Sequence, residues 1–471
     1  AEQIFSRSAG APLVAGNCIR LLTDAEENYP AWIDRLNSAN TSIHLEMYII
    51  HEDEIGRRFA DILIRKAREG VRVRVLYDWL GGFFKASNRY WKRLLEAGVE
   101  VRCFNPPRLD SPFGWLSRDH RKVIVVDSRI AFVTGLCIGQ MWLGHPDRGI
   151  GPWRDTGVEI IGPAVADIEA AFAEVWAIAG EPLPPEEVPD RERIEPAGQV
   201  NLRVIATVPT AAGLYRLDNL VAALARRSLW LSDAYFIGVS SYVQALRSAA
   251  LDGVDVRLLV PGSTDIPALR ALSRAGYGPL LEAGVRVFEW NGSMMHAKTA
   301  VADGMWARVG STNLNIASWM GNYELDVAVE DAAFAKCMEE KFLNDLENCT
   351  EVVLGRRNRV ALANARPRTA LRRRHMHAGS VGRAGAGTIR LGYTVGAALT
   401  EHRLLGHAEA KVTAIGGVLL FIVTLAGLLW PLSVAIPVSV LCGWLSLSLL
   451  VRTYKMYFRK TRKRQILKKD T

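Results

Sequence analysis

Two segments of this 471-residue chain carry the same reactive side chains at the same spacing. HRKVIVVD places His120, Lys122 and Asp127, and HAKTAVAD places His296, Lys298 and Asp303. A single H-x-K-x4-D match has a chance probability on the order of 0.01 in a chain of this composition, so one copy would carry little weight. Two copies at equivalent places in an internal repeat carry far more. On a strand, residues two apart face the same side, so each imidazole and its ammonium are expected to project together. Two such pairs meeting between repeats supply what phosphoryl transfer needs: a nitrogen nucleophile, a proton donor for the leaving alkoxide, and fixed positive charge for the phosphate oxygens. His44, His51, His375 and His377 lie outside the pattern and read as packed or surface residues.

The elements that must position these groups repeat as well. LLEAGV occurs at 94–99 and again at 280–285, leading into EVRCF and RVFEW. GVRVRVLYD at 70–78 matches GVDVRLLVP at 253–261, and IHLEMYII at 43–50 matches LWLSDAYFI at 229–237. Short apolar strands alternating with helical stretches predict an α/β fold, and duplication of their order predicts two similar domains, 1–195 and 196–351. The Pro/Glu-rich EPLPPEEVPDRERIEPAG at 181–198 reads as the connection. The first half carries about ten extra residues ahead of its motif, including PPRLDSPFGWLS at 106–117, an apolar loop that suits either a bilayer interface or packing over its own domain. Six cysteines form no CxxC pair or Cys/His cluster, so they read as mostly buried thiols rather than a zinc site or disulfide framework.

The net charge of +9 is unevenly distributed. Residues 352–411 carry +10 and residues 452–471 carry +8, which leaves −9 on the rest. An acidic body offers no broad footprint for a nucleic acid, so none is expected as a partner. The basic stretches flank a run without a charged residue, 412–451, interrupted by Pro431 and Pro437. As helices its two arms would rise about 28 and 30 Å, each matching a bilayer's hydrocarbon core. A C-terminal transmembrane hairpin is therefore expected, with 352–411 as basic juxtamembrane linker and 452–471 as basic tail. Both ends are expected in the cytoplasm, against an anionic membrane surface. The N-terminal AEQIFSRSAG lacks a basic-then-apolar leader pattern.

The paired H-x-K-x4-D motifs resemble the signature of the phospholipase D superfamily over roughly residues 17–351. LLTDAEENYPAWIDRLNSANTSIHLEMYII, WRDTGVEIIGPAV, VPGSTDIPALR and MMHAKTAVADGMWARVGSTNLNIAS are similar to its bacterial cardiolipin synthase branch. The resemblance implies two α/β domains in pseudo-twofold arrangement with the active site between them and no metal or cofactor. It implies a bacterial membrane enzyme that condenses two phosphatidylglycerols into cardiolipin and glycerol through a phosphohistidine. It makes His120 the nucleophile and His296 the general acid and base, with Lys122 and Lys298 on the phosphate oxygens. Ser311 and Asn313 of GSTN match the family's phosphate-contacting residues. Glu324, 28 residues after His296, and Asp155, 35 after His120, sit where the family places the carboxylate that orients each imidazole. Asp127 and Asp303 are expected to support strand geometry. Where the second half has GSTN the first has TGLC, with Thr134, Gly135 and Cys137, so one phosphate donor is missing. A phospholipase D hydrolase or a transfer to another alcohol needs the same residues; a nuclease accords less well with the acidic body and the membrane hairpin, and a non-catalytic membrane scaffold with the survival of both His–Lys pairs. Oligomeric state is not legible.

Overall fold

The computed structural model describes residues 2–107, 116–355 and 359–362, with scattered helical positions between 418 and 450. Its first half contains β1 (Val14–Thr23), β2 (Ser42–Met47), β3 (Arg72–Asp78), β4 (Glu100–Phe104), β5 (Lys122–Val126), β6 (Ile130–Thr134), β7 (Trp153–Arg154) and β8 (Thr156–Ile161). The second contains β9 (Val200–Thr207), β10 (Ser228–Ser232), β11 (Asp255–Pro261), β12 (Arg286–Trp290), β13 (Met294–Met295), β14 (Thr299–Ala302), β15 (Trp306–Gly310) and β16 (Glu324–Glu330), extended by β17 (Cys349–Gly355) and β18 (Arg359–Leu362).

Sixteen of these strands form one mixed sheet. Outward from its centre one arm runs β1-β8-β6-β5-β2-β3-β4 and the other β9-β16-β15-β14-β10-β11-β12. The two arms thus use equivalent strands in the same order, and β1 and β9 join them by a short, shifted antiparallel pairing. Inner strands such as β5 and β15 are buried along their length, as a sheet covered on both faces demands. One apolar cluster unites Val123, Val133 and Val158 of the first half with Val301, Val309 and Leu325 of the second, under the helices Ala164–Ile178 and Ala332–Glu347. The 181–198 connection is tied down by Glu187, which accepts from Arg72 at 2.8 Å and Arg74 at 2.6 Å.

Two expectations fall largely outside the described residues and one changes. The expected transmembrane hairpin at 412–451 lies largely outside the described residues, and among those described no helix is long and apolar enough to cross a membrane. The apolar stretch at 106–117 lies mostly outside them too. Only Cys137 of the six unpaired cysteines is buried; Cys103 and Cys349 are partly buried, and Cys18, Cys337 and Cys442 fall on exposed positions of their elements.

Each motif aspartate opens the hairpin turn after its strand with a left-handed backbone, φ 54° at Asp127 and 55° at Asp303. The Asp127 carboxylate accepts from the backbone N–H groups of Asn40, Thr41 and Ser42 at 2.7–3.0 Å, and Asp303 accepts from those of Arg226, Arg227 and Ser228 at 2.7–3.0 Å. Partial burial works against both charges, but these N–H donors outweigh it and hold both carboxyls below the usual range. A depressed carboxyl contributes stability above its unfolded value, near pH 4, that is lost as pH falls through the folded one. Asp303→Asn, which keeps the turn but not the charge, is expected to cost about 1–2 kcal/mol at pH 7 by urea unfolding, with the gap to wild type narrowing below about pH 4.

Candidate active site

Neither catalytic-motif histidine lies on its strand, contrary to the expectation from strand alternation. Each sits two residues before its lysine, in a segment pinned by the opposite half. Asp119 bridges to Tyr323, and β13 pairs with β7 so that Met295 faces Arg154. The His120 amide then donates to the Tyr323 carbonyl at 2.8 Å and the His296 amide to the Arg154 carbonyl at 2.7 Å. The next residue in each bridging segment is a carboxylate, so backbone pairing delivers Glu324 to His120 and Asp155 to His296. The contacts are Nδ1 to Oε2 at 2.8 Å and Nδ1 to Oδ2 at 2.6 Å. Each imidazole is therefore oriented by the other repeat.

A carboxylate is an acceptor only, so in each pair the imidazole's Nδ1–H donates and Nε2 is turned away from the carboxylate, poised as base or nucleophile. Lys122 and Lys298, both buried, donate to the carbonyls of His120 and His296. The expected projection of each His–Lys pair toward one place holds despite the irregular backbone. Lys298 Nζ also lies 3.0 Å from His296 Nδ1, where it acts as a neighbouring charge because that nitrogen's proton is committed to Asp155.

The electrostatics follow from crowding cations in a buried place. Burial lowers the His296 imidazole from its ordinary value, and Lys298 lowers it further against the opposing pull of Asp155. Lys298 itself falls to about 8, chiefly through burial, with Lys122 adding to the effect. The effect of Lys122 on Lys298 places the two lysines within Coulombic reach across the halves. Burial pushes Asp155 up, but His296 and Lys298 outweigh it and hold the carboxyl below its usual range. Glu324 goes the other way: burial raises it more than Lys122 and its hydrogen bonds lower it.

Ser311 and Asn313 behave differently from each other. The Ser311 hydroxyl donates to Glu324 Oε2 at 2.6 Å and accepts from the Leu325 amide at 3.0 Å, so it braces the carboxylate. Asn313 is buried and its Oδ1 has no hydrogen-bond partner among the described residues. The TGLC departure has a steric reason at Gly135, which stands where the other half has Ser311. A Cβ there would come within 2.1 Å of Asp155 Oδ1. Asp155 gains the Thr156 amide at 2.9 Å instead of a hydroxyl. Cys137 is buried near both lysines and Asp155, and its thiol is pushed up mainly by burial.

Sequence reading missed the site's aromatic lining and its brace. Tyr48 stands edge-on to His120 at 4.8 Å, with Lys122 5.1 Å from its ring. Trp153, Tyr235 and Trp142 surround His296 at 5.3, 6.0 and 6.1 Å. A signal existed, since the second strand of each repeat runs into a tyrosine, one residue out of register. Arg154, fully buried, grips Asp345 through Nε at 2.8 and 2.9 Å and Asp24 at 3.2 Å.

A duplicated α/β sheet with one H-x-K-x4-D motif per arm, each imidazole oriented by the opposite arm, defines a phospholipase D-like protein. The family model described as "Cardiolipin synthase, PLD-like domain" matches residues 32–140 and 221–346. The chain is 35% identical over 354 residues to the cardiolipin synthase of Geobacillus sp. (strain WCH70), covering 74% of this chain and 70% of that one. It is 35% identical over 351 residues to cardiolipin synthase A of Pseudomonas fluorescens (strain SBW25), covering 72% and 71%. Its fold is similar to a crystal structure of phosphatidylserine synthase from Haemophilus influenzae Rd KW20, with TM-score 0.60 at 15% identity, over 74% of this chain and 91% of that one. The chain belongs to the phospholipase D-like cardiolipin synthase family.

The local charges give a direct test. Lys298→Met removes the cation that depresses His296, and Asp155→Asn removes the anion that supports it. Titration of the His296 imidazole by NMR should move up in the first variant and down in the second.

Proposed function

We propose that this enzyme is a cardiolipin synthase that joins two phosphatidylglycerols, releasing glycerol. His120 Nε2 attacks phosphorus of the donor while His296 protonates the departing glycerol oxygen. The P–O bond breaks and a phosphatidyl–His120 bond forms. The primary hydroxyl of a second phosphatidylglycerol then attacks phosphorus, His296 takes its proton, and His120 leaves. Lys122 and Lys298 stabilise the non-bridging oxygens as charge builds on them. Asp155 and Glu324 hold the imidazoles' tautomers, Ser311 steadies Glu324, and the Asn313 side-chain NH2, held only by a long bond to Ser318 Oγ at 3.5 Å, is the donor for a phosphate oxygen. Entry of an anionic phosphodiester beside His296 raises its depressed pKa, so substrate helps protonate its own acid. The observation that carries this reading is the crossed pair of carboxylate-held imidazoles beside two buried lysines.

Purified protein given phosphatidylglycerol should yield cardiolipin and glycerol by mass spectrometry. His120→Asn should abolish acid-labile phosphatidyl label on the enzyme. His296→Asn should still label His120 from a nitrophenyl ester, whose leaving group needs no proton. Label recovered on His296 in the wild type would reverse the two roles.

Residues 412–451 serve as the membrane hairpin in this reading, with both basic flanks on the cytoplasmic face of a bacterial cell membrane and drawn to anionic lipid. Support comes from the uncharged run and from helical positions such as Phe421, Leu429, Val440 and Leu450, which are 63%, 64%, 67% and 65% exposed. Large apolar side chains left open by the protein suit lipid contact. Because β17 and β18 continue the sheet to Leu362, an anchoring test cuts after that residue. Such a chain should keep turnover in detergent micelles within about threefold and lose most of it on phosphatidylglycerol vesicles. Equal loss on both would assign the segment to the catalytic body instead.

A further inference from the structure

The reaction as proposed leaves one charge unaccounted for. The donor's phosphodiester meets Lys122 and Lys298, but the acceptor is also an anionic lipid, and its own phosphodiester sits a three-carbon headgroup away from the attacking hydroxyl. A neutral alcohol or water brings no such anion. Selection of the lipid acceptor therefore calls for a second cation beside His296, displaced from the lysines.

A small open cleft adjoins that position, lined by Tyr235, Pro261, Thr264, Arg270, Ser273 and Tyr277. Tyr235 is the shared wall, since its ring stands 6.0 Å from the His296 ring and also lines the cavity. Asp265 pins that wall by accepting from the Tyr235 hydroxyl at 2.8 Å. Thr264 also contacts Asp265, at 3.3 Å.

Arg270, on the helix Pro267–Ala275, is the cavity's one cation among the described lining residues. Its nearest carboxylate is already matched. Glu289 takes Arg274 in a two-point pairing at 2.6 and 2.5 Å, whereas Arg270 reaches it only at 3.4 Å. The Arg270 Nε is shielded from solvent with no hydrogen-bond acceptor. A guanidinium that shares its counter-ion with another arginine and lines an open cleft has donors left to offer a phosphodiester's oxygens.

We infer that Arg270 and this cavity form the subsite for the acceptor lipid's phosphodiester, which makes Arg270 a residue that selects phosphatidylglycerol over neutral alcohols and water. The inference rests on the phosphatidyl-transfer reading and adds to it the residue that distinguishes acceptors.

The test uses the full chain in mixed micelles with phosphatidylglycerol as donor and four acceptors followed by mass spectrometry: phosphatidylglycerol, its soluble deacylated form glycerophosphoglycerol, isotope-labelled glycerol, and water. Arg270→Gln should lower kcat/KM for the first two by about tenfold or more, while labelled-glycerol exchange and hydrolysis stay within about twofold. Arg270→Lys, which keeps charge without the fork, should fall between. Retained glycerol exchange reports that the variant is folded. An equal fall for all four acceptors, or no fall for any, overturns the inference. A fall for the lipid but not for glycerophosphoglycerol overturns it too, since the contact would then be with acyl chains. Wild-type enzyme that hydrolyses and exchanges glycerol yet makes no cardiolipin overturns the function reading itself, a result visible without any variant.

Discussion

Everything at this site depends on a short backbone pairing between halves. Asp119 against Tyr323 and Met295 against Arg154 are only a few hydrogen bonds, yet each sets a histidine and a carboxylate in adjacent registers of neighbouring segments. Slipping either by one residue would turn a carboxylate away from its imidazole. Neither half can orient its own histidine, so the catalytic unit exists only when both arms of the sheet are joined. The apolar cluster shared by β5, β6, β8, β14, β15 and β16 holds that joint.

The repeat keeps backbone geometry more faithfully than interaction chemistry. The Gly135 and Ser311 amides donate to the Thr156 and Leu325 carbonyls at 3.1 and 3.0 Å, equivalent bonds in the two arms. Side chains around them diverge. Where the second half buries Arg308 between Asp326 at 3.3 Å and Asp218 at 3.6 Å, the first packs Phe132 on Trp32 at 6.4 Å. A buried ion pair and an aromatic contact can fill the same place because desolvation cancels most of the pair's Coulombic gain. The Gly135–Asp155 and Ser311–Glu324 combinations show the same freedom at the site. A longer carboxylate is steadied by a hydroxyl, and a shorter one occupies the space that a side chain would need.

Much of this was legible in the residues. The apolar segments at 43–50, 70–78 and 100–104 and their second-half copies became β2, β3, β4, β10, β11 and β12, because short, largely apolar runs between helical stretches have few other folds open to them. The two His–Lys pairs and both carboxylates singled out in the sequence do come together in the structure. What was hidden is long-range. Crossing of the carboxylates depends on which segments pair between arms, and a sequence spacing counted within one repeat cannot encode that. The same blindness put the histidines on strands, since a bridge to residue 323 or 154 overrides local alternation. Ser311's bond to Glu324 and the exposure of three cysteines likewise follow from register and facing, not from residue type.

Burial dominates the electrostatics of this site. It is the leading cause of the depressed values of Lys298, at about 8, and of His296, and neighbouring lysine charge adds to it in each case. Asp155 opposes both shifts, so the site already holds an anion of its own and balances its charges across the two halves. Charge–charge effects are strong in so buried a place, with the rings of Tyr48, Trp142, Trp153 and Tyr235 packed close to the imidazoles. Under the proposed phosphodiester chemistry, charge gathering on the substrate oxygens in the transition state draws Lys298 and His296 back toward their charged forms.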